Sequence, residues 1–217
     1  MSEDKGRLAS LDLFPALREI ERELSVYEDL LKRWQVKINL VAPKTLGEVW
    51  VRHFADSAQA QTAVPKAKVW LDFGSGAGFP GLVTALLLKR SPGARVHLIE
   101  SDQRKAAFLR AVSRETGAPV DVHAERVETA LPPLVDQAQA ISARALAPLA
   151  HLVEIARAPL EKGAIGVFLK GEEWRSELTA AERLGNFKFK TIQSRTHPRA
   201  SLIVVTSPAE ANFDRSN

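Results

Sequence analysis

Residues 71–81 read LDFGSGAGFPG and hold four glycines directly after the short apolar run 69–71. Glycine has no Cβ and adopts positive φ without strain, so a loop of this composition lets backbone approach a ligand closely. The segment 82–90 that follows is apolar and ends in Lys89 and Arg90, which is typical of a helix. A strand, a glycine-rich loop and a helix in this order predict a cofactor site.

An acidic residue stands at the expected distance beyond this loop. Glu100 follows a second apolar run, 95–99, about twenty residues after the glycines, where nucleotide-binding folds place a carboxylate that accepts from ribose hydroxyls. The cofactor should therefore carry a ribose. We expect its site to include Gly74, Gly76, Gly78 and Glu100.

The glycine loop alone does not distinguish S-adenosylmethionine from a dinucleotide. Gly76, Gly78 and Gly81 also satisfy the dinucleotide pattern G-x-G-x-x-G. Asp72 precedes the first glycine, and a carboxylate there would attract a cationic ligand and repel a pyrophosphate. The glycines also begin one step earlier than a dinucleotide loop requires. Both features favour S-adenosylmethionine. An NAD-dependent oxidoreductase and a non-enzymatic RNA-binding assembly factor on the same fold are the alternative hypotheses.

Composition excludes several classes of protein. The chain has 217 residues, of which 45% are hydrophobic, enough for one substantial core. It contains no cysteine, which excludes disulfides, thiolate metal sites and a cysteine nucleophile, and its five histidines show no metal-ligand spacing. The first residues lack the apolar core of a secretory signal, and the longest apolar run is too short to span a bilayer. We expect a cytoplasmic protein with no metal and no membrane partner.

The order of elements predicts the fold class. Apolar residues at three- and four-residue spacing predict a long helix that begins near Pro15, and a second helix is expected over 45–62. We interpret 1–66 as an N-terminal helical cap, 67–207 as the main domain and 208–217 as a flexible tail.

In the main domain, strands and helices alternate, which predicts a parallel sheet covered on both faces. The fourth strand is expected over 138–142, and a helix over 146–158 follows it. The last two strands, 187–192 and 202–206, should form an antiparallel hairpin at the sheet edge. Seven strands in this order match the Rossmann-like sheet of class I S-adenosylmethionine-dependent methyltransferases.

Methyl transfer from a sulfonium needs an electron pair held in line with the methyl group. The Asn-Pro-Pro-aromatic motif of amine methylases is absent, since the corresponding residues, 142–145, read SARA. Pyrimidine C5 methylation needs a cysteine, which is also absent. By elimination the acceptor should already be nucleophilic, and guanine N7 fits because it carries no proton. No catalytic base is expected; Arg144 would donate to guanine O6 or to the methionine carboxylate of the cofactor.

Basic residues concentrate in two segments, and the chain carries a net charge of +4. Five basic residues and no acid lie between Arg183 and Thr206, and the cap adds Lys32, Arg33, Lys37, Lys44 and Arg52. Both segments are candidates for RNA phosphate contacts beside the cofactor. A solvated surface without a partner is the alternative for each.

Five short motifs accompany the glycine loop: NL at 39–40, RHFADS at 52–57, RVE at 126–128, SARA at 142–145 and LKG at 169–171. Taken together, they resemble the bacterial small-subunit ribosomal RNA guanine-N7 methyltransferases, the glucose-inhibited division protein B family. The resemblance covers nearly the whole chain. The Pro-Gly end of the loop and the Arg-His-x-x-Asp-Ser element are its most specific parts.

The resemblance implies transfer of a methyl group from S-adenosylmethionine to N7 of one guanine in small-subunit (16S) ribosomal RNA, free or in a ribosomal particle, with no oligomer required. The cofactor residues that it implies are Gly74, Phe79, Val127, Glu128 and Arg144. The residues expected near RNA or the acceptor are His53, Arg126, Lys170 and Arg199.

Overall fold

A computed structural model describes residues 3–208 of the chain. Apart from Pro208, the segment expected to be a flexible tail lies outside these residues. Within the described part, seven strands form one sheet: β1 (Val69–Phe73), β2 (Arg95–Ile99), β3 (Val120–His123), β4 (Ala140–Arg144), β5 (Ile165–Lys170), β6 (Lys188–Gln193) and β7 (Ser201–Thr206).

The strand order is β3-β2-β1-β4-β5-β7-β6. The first five strands are parallel, and β7 runs antiparallel to both β5 and β6. This confirms the Rossmann-like sheet with an antiparallel final hairpin. The chain leaves β1 toward β2 on one side and enters β4 on the other, so the carboxyl ends of β1 and β4 flank a topological switch point, where ligands bind in such sheets. Phe73 and Ala143 pair there.

Helices cover both faces of the sheet. They are α1 (Glu3–Leu13), α2 (Glu21–Gln35), α3 (Asp56–Ala63), α4 (Gly81–Leu87), α5 (Gln103–Thr116), α6 (Val127–Ala130), α7 (Leu149–Ile155), α8 (Arg157–Glu161) and α9 (Trp174–Glu182). Shorter turns are 3-10 helices at Pro15–Ile20, Pro43–Glu48 and Pro132–Leu134, and a π-helix at Trp50–Ala55. No helix in the described part combines the length and apolarity needed to cross a membrane.

The N-terminal cap packs through the predicted apolar stripe. Leu17, Leu24, Tyr27 and Leu31 are fully buried and share a core with residues of the sheet and of α4 and α5. The prediction of one continuous helix from Pro15 was wrong, because the chain first makes a 3-10 turn and only then enters α2. The helix expected over 45–62 is likewise divided into a 3-10 turn, a π-helix and α3. The domain boundary near residue 66 stays a prediction.

Each central strand is buried on both faces, so alternate residues enter different cores. In β1, Trp70 belongs to the core beneath the cap, whereas Leu71 and Phe73 belong to the core beneath α7–α9. This alternation follows from the two-residue period of a strand. It also decides which residues at the strand ends can reach a ligand.

The segment between β4 and α7 departs from the sequence prediction. The strand expected over 138–142 spans 140–144, and the helix expected to start at 146 starts at Leu149. Ala145 has a positive φ of 54°, and Pro148 disfavours a helical conformation in the residue before it. The residues 145–148 therefore form a loop at the switch point.

Helix α5 is capped at its start and followed by a glycine at its end, and this end gives a test of the fold. Asp102 caps the helix by accepting from the Arg104 and Lys105 amides, and Gly117 follows its end with φ 68°. Gly117→Ala should lower the free energy of unfolding by about 1 kcal/mol, because a Cβ in the left-handed region is strained. Urea denaturation measures the change.

Gly47→Ala is the matched control, since a Cβ there meets nothing within 4 Å and φ is not positive. That variant should be neutral or slightly more stable than the parent, because alanine restricts the unfolded chain. Equal losses at Gly47 and Gly117 would contradict the backbone argument.

Candidate active site

Two cavities meet at the carboxyl edge of the sheet. The first, of about 490 Å³, lies between the glycine loop, the end of β2, the residues after β3 and the loop 145–148. The second, of about 560 Å³, lies between the cap residues 40–56, the end of β5 and the turn between β6 and β7. Leu40, Arg144 and Ala145 line both cavities. The arrangement offers neighbouring sites for two ligands.

The structure divides the predicted site residues between these cavities. Those that line the first cavity are Gly74, Gly76, Phe79, Glu100, Arg126, Val127, Glu128 and Arg144. His53, Lys170 and again Arg144 line the second. Gly78 and Arg199 line neither cavity.

The glycine loop exposes backbone to the first cavity. Gly74 and Gly76 have φ of 62° and 57°. A Cβ on Gly76 would meet nothing nearer than the Gly74 carbonyl oxygen at 3.7 Å, so this position faces open space. Gly78 differs, because a Cβ there would lie 2.5 Å from the Tyr27 hydroxyl. Packing against the protein itself explains the glycine at 78, and its expected place in the cofactor site stays a prediction.

Glu100 projects into the first cavity from the end of β2. Its two carboxylate oxygens accept from the Gly76 and Asp102 amides, each at 2.8 Å. A carboxylate oxygen has more than one lone pair, so both oxygens can also accept from a hydroxyl pair. A buried carboxylate over bare glycine backbone fits the ribose of an adenosyl group, as the sequence predicts.

Asp72 does not reach the cavity, contrary to the sequence expectation. It is fully buried, accepts a hydrogen bond from Ser142 Oγ at 2.6 Å, and lies so close to Gly81 that a Cβ there would be 2.6 Å from its Oδ2. Burial raises the pKa of Asp72 to about 6. Strand alternation turns this side chain toward α4, so it supports the loop from below.

Arg144 stands at the boundary between the cavities, held by three contacts. Its Nη1 donates to the Arg52 carbonyl at 3.2 Å and to Asp56 Oδ2 at 3.3 Å, and its Nη2 contacts His53 Nδ1 at 3.0 Å. The guanidinium also lies 5.0 Å from the centre of the Phe79 ring. Asp56 compensates its charge. Arg144 is therefore positioned by the RHFADS motif and by the glycine loop.

The contacts of His53 define its protonation state. Arginine only donates, so His53 Nδ1 must accept from Arg144 and the ring proton resides on Nε2. Nε2 lies 2.9 Å from Thr45 Oγ1, to which it donates. Burial, followed by the positive charge of Arg144, lowers the pKa of His53 to about 3. His53 is thus a neutral ring with both nitrogens engaged, and it stacks on Phe79 at 4.8 Å.

Lys170 and Arg199 both pair with carboxylates at the second cavity, and their expected contact with RNA or the acceptor stays a prediction. The Lys170 ammonium donates to the Ala147 carbonyl at 2.8 Å and pairs with Glu177 at 2.6 Å, with only 7% of its side chain exposed. It fastens the loop 145–148. Arg199 is exposed and pairs with Glu172 at 2.7 Å, at the rim of the second cavity.

The basic hairpin also reaches the site only in part. Gln193 and Lys170 both align with Ser201, whereas Lys188 aligns with Thr206, at the other end of β7. The turn with His197 borders the second cavity, and Lys188 lies at the opposite end of β6. The expectation that the whole segment flanks the cofactor was therefore wrong for Lys188.

Sequence reasoning missed several lining residues: Ser101, Lys105, Leu146 and His151 in the first cavity, and Thr45, Asp56, Glu177 and Thr196 in the second. Lys105 had a signal, because the first turn of a helix capped by Asp102 must lie beside Glu100. Thr196 had none. It donates to Asp56 across 140 positions, at 2.6 Å.

The doubly wound sheet, the glycine loop and the buried carboxylate at the end of β2 together define a class I S-adenosylmethionine-dependent methyltransferase. Solved structures share this fold. A putative O-methyltransferase from Klebsiella pneumoniae superposes with a TM-score of 0.60 at 13% identity, covering 85% of this chain and 89% of that one. The O-methyltransferase from Bacillus cereus in complex with SAH gives 0.60 at 15% identity, covering 84% and 91%.

The sequence matches a more specific group. Residues 20–201 match the family model described as rRNA small subunit methyltransferase G. The ribosomal RNA small subunit methyltransferase G of Methylorubrum extorquens strain PA1 is 48% identical over 190 residues, 88% of this chain and 90% of that protein. Its counterpart from Rhodospirillum centenum is 49% identical over 191 residues, 88% and 85% of the two chains. The chain belongs to the rRNA small subunit methyltransferase G family.

The neutral state of His53 is testable by pH titration. Its imidazole nitrogens should keep the pattern of an Nε2-protonated ring from pH 8 to pH 5, because the folded pKa is about 3. Heteronuclear NMR of ¹⁵N-labelled protein reads this pattern directly. In urea-unfolded protein the same residue should titrate at about 6.5.

The pKa values of His53 in the folded and the unfolded protein determine how this residue changes stability with pH. Between pH 6.5 and 3 the unfolded chain takes up a proton at His53 that the folded protein refuses, so this residue lowers stability as pH falls through that range. A folded-state titration of His53 near its ordinary value would contradict the hydrogen-bond assignment.

Proposed function

We propose that the protein transfers the methyl group of S-adenosylmethionine to N7 of a guanine in small-subunit ribosomal RNA. The observation that carries the proposal is Arg144, which stands between the cavity lined by the glycine loop and Glu100 and a second cavity in which residues 3–208 offer no free general base. The small-subunit ribosomal RNA named in the family description and in the relatives supports this class of substrate.

The residues of the first cavity suit the cofactor. Glu100 would accept from the ribose hydroxyls, and Gly76 would lie under the ligand with open space at the position of a Cβ, whereas the Leu146 side chain packs against Gly74. Val127 and Glu128 would border the adenine. When bound, S-adenosylmethionine supplies an electrophilic methyl group on its sulfonium.

No described group in the second cavity is available to remove a proton from the acceptor. Its three carboxylates are all in ion pairs: Asp56 with Arg144, Glu172 with Arg199 and Glu177 with Lys170. His53 uses both ring nitrogens. The Nδ1 of His197 accepts from the Arg199 amide, so a neutral ring there carries its proton on Nε2.

This environment favours an acceptor that needs no deprotonation. Guanine N7 has an in-plane lone pair and no proton, so positioning alone prepares it for displacement at the methyl carbon. A hydroxyl or exocyclic amine would gain from a base that the cavity does not provide. The chemistry of the lining therefore supports N7.

Arg144 has donors left for recognition. A guanidinium has five N–H groups, and the contacts seen among residues 3–208 use three of them. The remaining two would donate to guanine O6 or to the methionine carboxylate of the cofactor. Because Arg144 lines both cavities, either ligand would be within its reach.

RNA phosphates would meet the exposed basic side chains around the second cavity. Arg52 lines it, Arg199 stands at its rim, and Arg126 borders the first cavity. Lys170 would act on the RNA only through the loop 145–148, because its ammonium is enclosed. We further propose that the reaction takes place in the cytoplasm. Because one chain holds both cavities, no oligomer should be required.

Transfer of labelled methyl tests the proposal directly. With small-subunit particles and with free small-subunit RNA as separate substrates, label should appear at a single guanine. Borohydride reduction followed by aniline should then cleave the RNA at that nucleotide, as N7 methylation predicts. Label on protein, or on an RNA position that resists this cleavage, would defeat the assignment.

Removal of one charge tests where the RNA lies. Arg52→Gln should weaken binding of small-subunit RNA roughly three- to tenfold at moderate salt and reduce the slope of log affinity against log salt by about 1, because one phosphate contact is lost. Filter binding at several salt concentrations measures both quantities.

Lys188→Gln is the matched control. It removes the same charge at the end of β6 that lies away from the second cavity. Its RNA affinity and salt slope should stay near those of the parent. If the two variants behave alike, RNA does not approach by the second cavity.

A further inference from the structure

Tyr27 joins the helical cap to the glycine loop. It lies on α2, is fully buried, and its hydroxyl donates to the carbonyl of Ala77. Its ring stacks on Phe79 with centroids 5.3 Å apart and an interplanar angle of 16°. Ala77 and Phe79 both line the first cavity, whereas Tyr27 does not. Tyr27 thus contacts the loop from outside the first cavity, where the cofactor would bind.

The other hydrogen bonds of the loop join it to the sheet, to α4 or to itself. The Ser75 amide donates to the Ile99 carbonyl at 3.0 Å, the Gly76 amide to Glu100 at 2.8 Å and the Gly78 amide to the Ser75 carbonyl at 2.7 Å. The first two of these bonds hold the first half of the loop, and the third closes a turn from Ser75 to Gly78. Tyr27 acts on the second half, 77–79, where the chain turns toward α4.

Phe79 links Tyr27 to residues on the acceptor side. Phe79, against which Tyr27 stacks, also stacks on His53 and lies beneath the guanidinium of Arg144. A Cβ on Gly78 would overlap the Tyr27 hydroxyl, so the loop and this side chain fit each other closely. Burial raises the pKa of Tyr27, so the hydroxyl keeps its proton and remains a donor at any working pH.

We propose that Tyr27 is a positioning residue for the cofactor, which through its hydrogen bond to Ala77 holds the glycine loop in the conformation that binds an adenosyl ligand. The cap then builds the cofactor site as well as one wall of the second cavity. The inference rests on the proposed function for the identity of the ligand.

The physical reason is preorganisation. Without the hydroxyl, a buried carbonyl loses its donor and the segment 77–79 gains freedom that binding must remove again. The loss should therefore appear in cofactor affinity. The methyl-transfer step with cofactor bound, and RNA recognition, should change little.

Tyr27→Phe is the direct test, because it removes only the hydroxyl and keeps the stacking ring. Calorimetric titration with S-adenosylhomocysteine should show a dissociation constant raised about tenfold. In steady-state assays with small-subunit particles, KM for S-adenosylmethionine should rise by a similar factor, while kcat and KM for the particle stay within twofold.

Trp50→Phe is the matched control. It also removes a ring donor from the cap, the Trp50 Nε1 bond to Glu28 at 2.8 Å, and Trp50 lines neither cavity. Its affinity for S-adenosylhomocysteine should stay within twofold of the parent. Equal affinity losses in the two variants, or none in Tyr27→Phe, would overturn the proposal in favour of a purely structural tyrosine.

Hydrogen exchange on the unaltered protein gives a second test that needs no variant. Saturating S-adenosylhomocysteine should slow exchange both in 74–79 and in the part of α2 around Tyr27, and leave α9 unchanged. Protection confined to the loop would overturn the proposal. Failure of the parent protein to bind S-adenosylhomocysteine would refute the proposed function, whereas normal binding without any effect at Tyr27 would refute only this inference.

Discussion

The hydrogen bond from the Gly76 amide to the Glu100 carboxylate is the constraint on which the site depends. It ties the loop after β1 to the end of β2 at 2.8 Å, and it requires Gly76 to hold a φ of 57° that a residue with a Cβ adopts only under strain. A second amide, from Asp102, satisfies the other carboxylate oxygen. The carboxylate is thereby stabilised in a buried place, with lone pairs left for a ligand.

The second organising element is the set of contacts around Arg144. A guanidinium at the boundary of two cavities needs a compensating charge and fixed acceptors, and Asp56, the Arg52 carbonyl and His53 provide them. His53 performs this role as a neutral acceptor, which explains why a histidine beside an arginine is tolerated in a buried position. The same contacts leave the ring without a free lone pair, so the residue best placed to be a base is occupied with positioning.

The cap is part of this machinery. Its apolar stripe completes the core on one face of the sheet, its π-helix at Trp50–Ala55 presents Arg52 and His53, and Tyr27 reaches the loop itself. The cap therefore contributes residues to the second cavity and, through Tyr27, a contact to the loop that lines the first. A methyl donor and its acceptor must be aligned within a short distance, so a shared rigid support suits the chemistry.

Several features followed from the sequence by itself because they depend on near neighbours. The glycines at 74 and 76, the acid at 100 and the order of the seven strands all reflect local sterics and apolar periodicity. The family motifs indicated His53 and Arg144 as site residues. Other features came only from tertiary structure: strand alternation buries Asp72, Tyr27 fills the space beside Gly78, Glu177 encloses Lys170, and the hairpin register carries Lys188 away from the site. Three of these outcomes depend on which distant element packs against which, and the burial of Asp72 depends on the face that α4 covers. No local pattern encodes such partners.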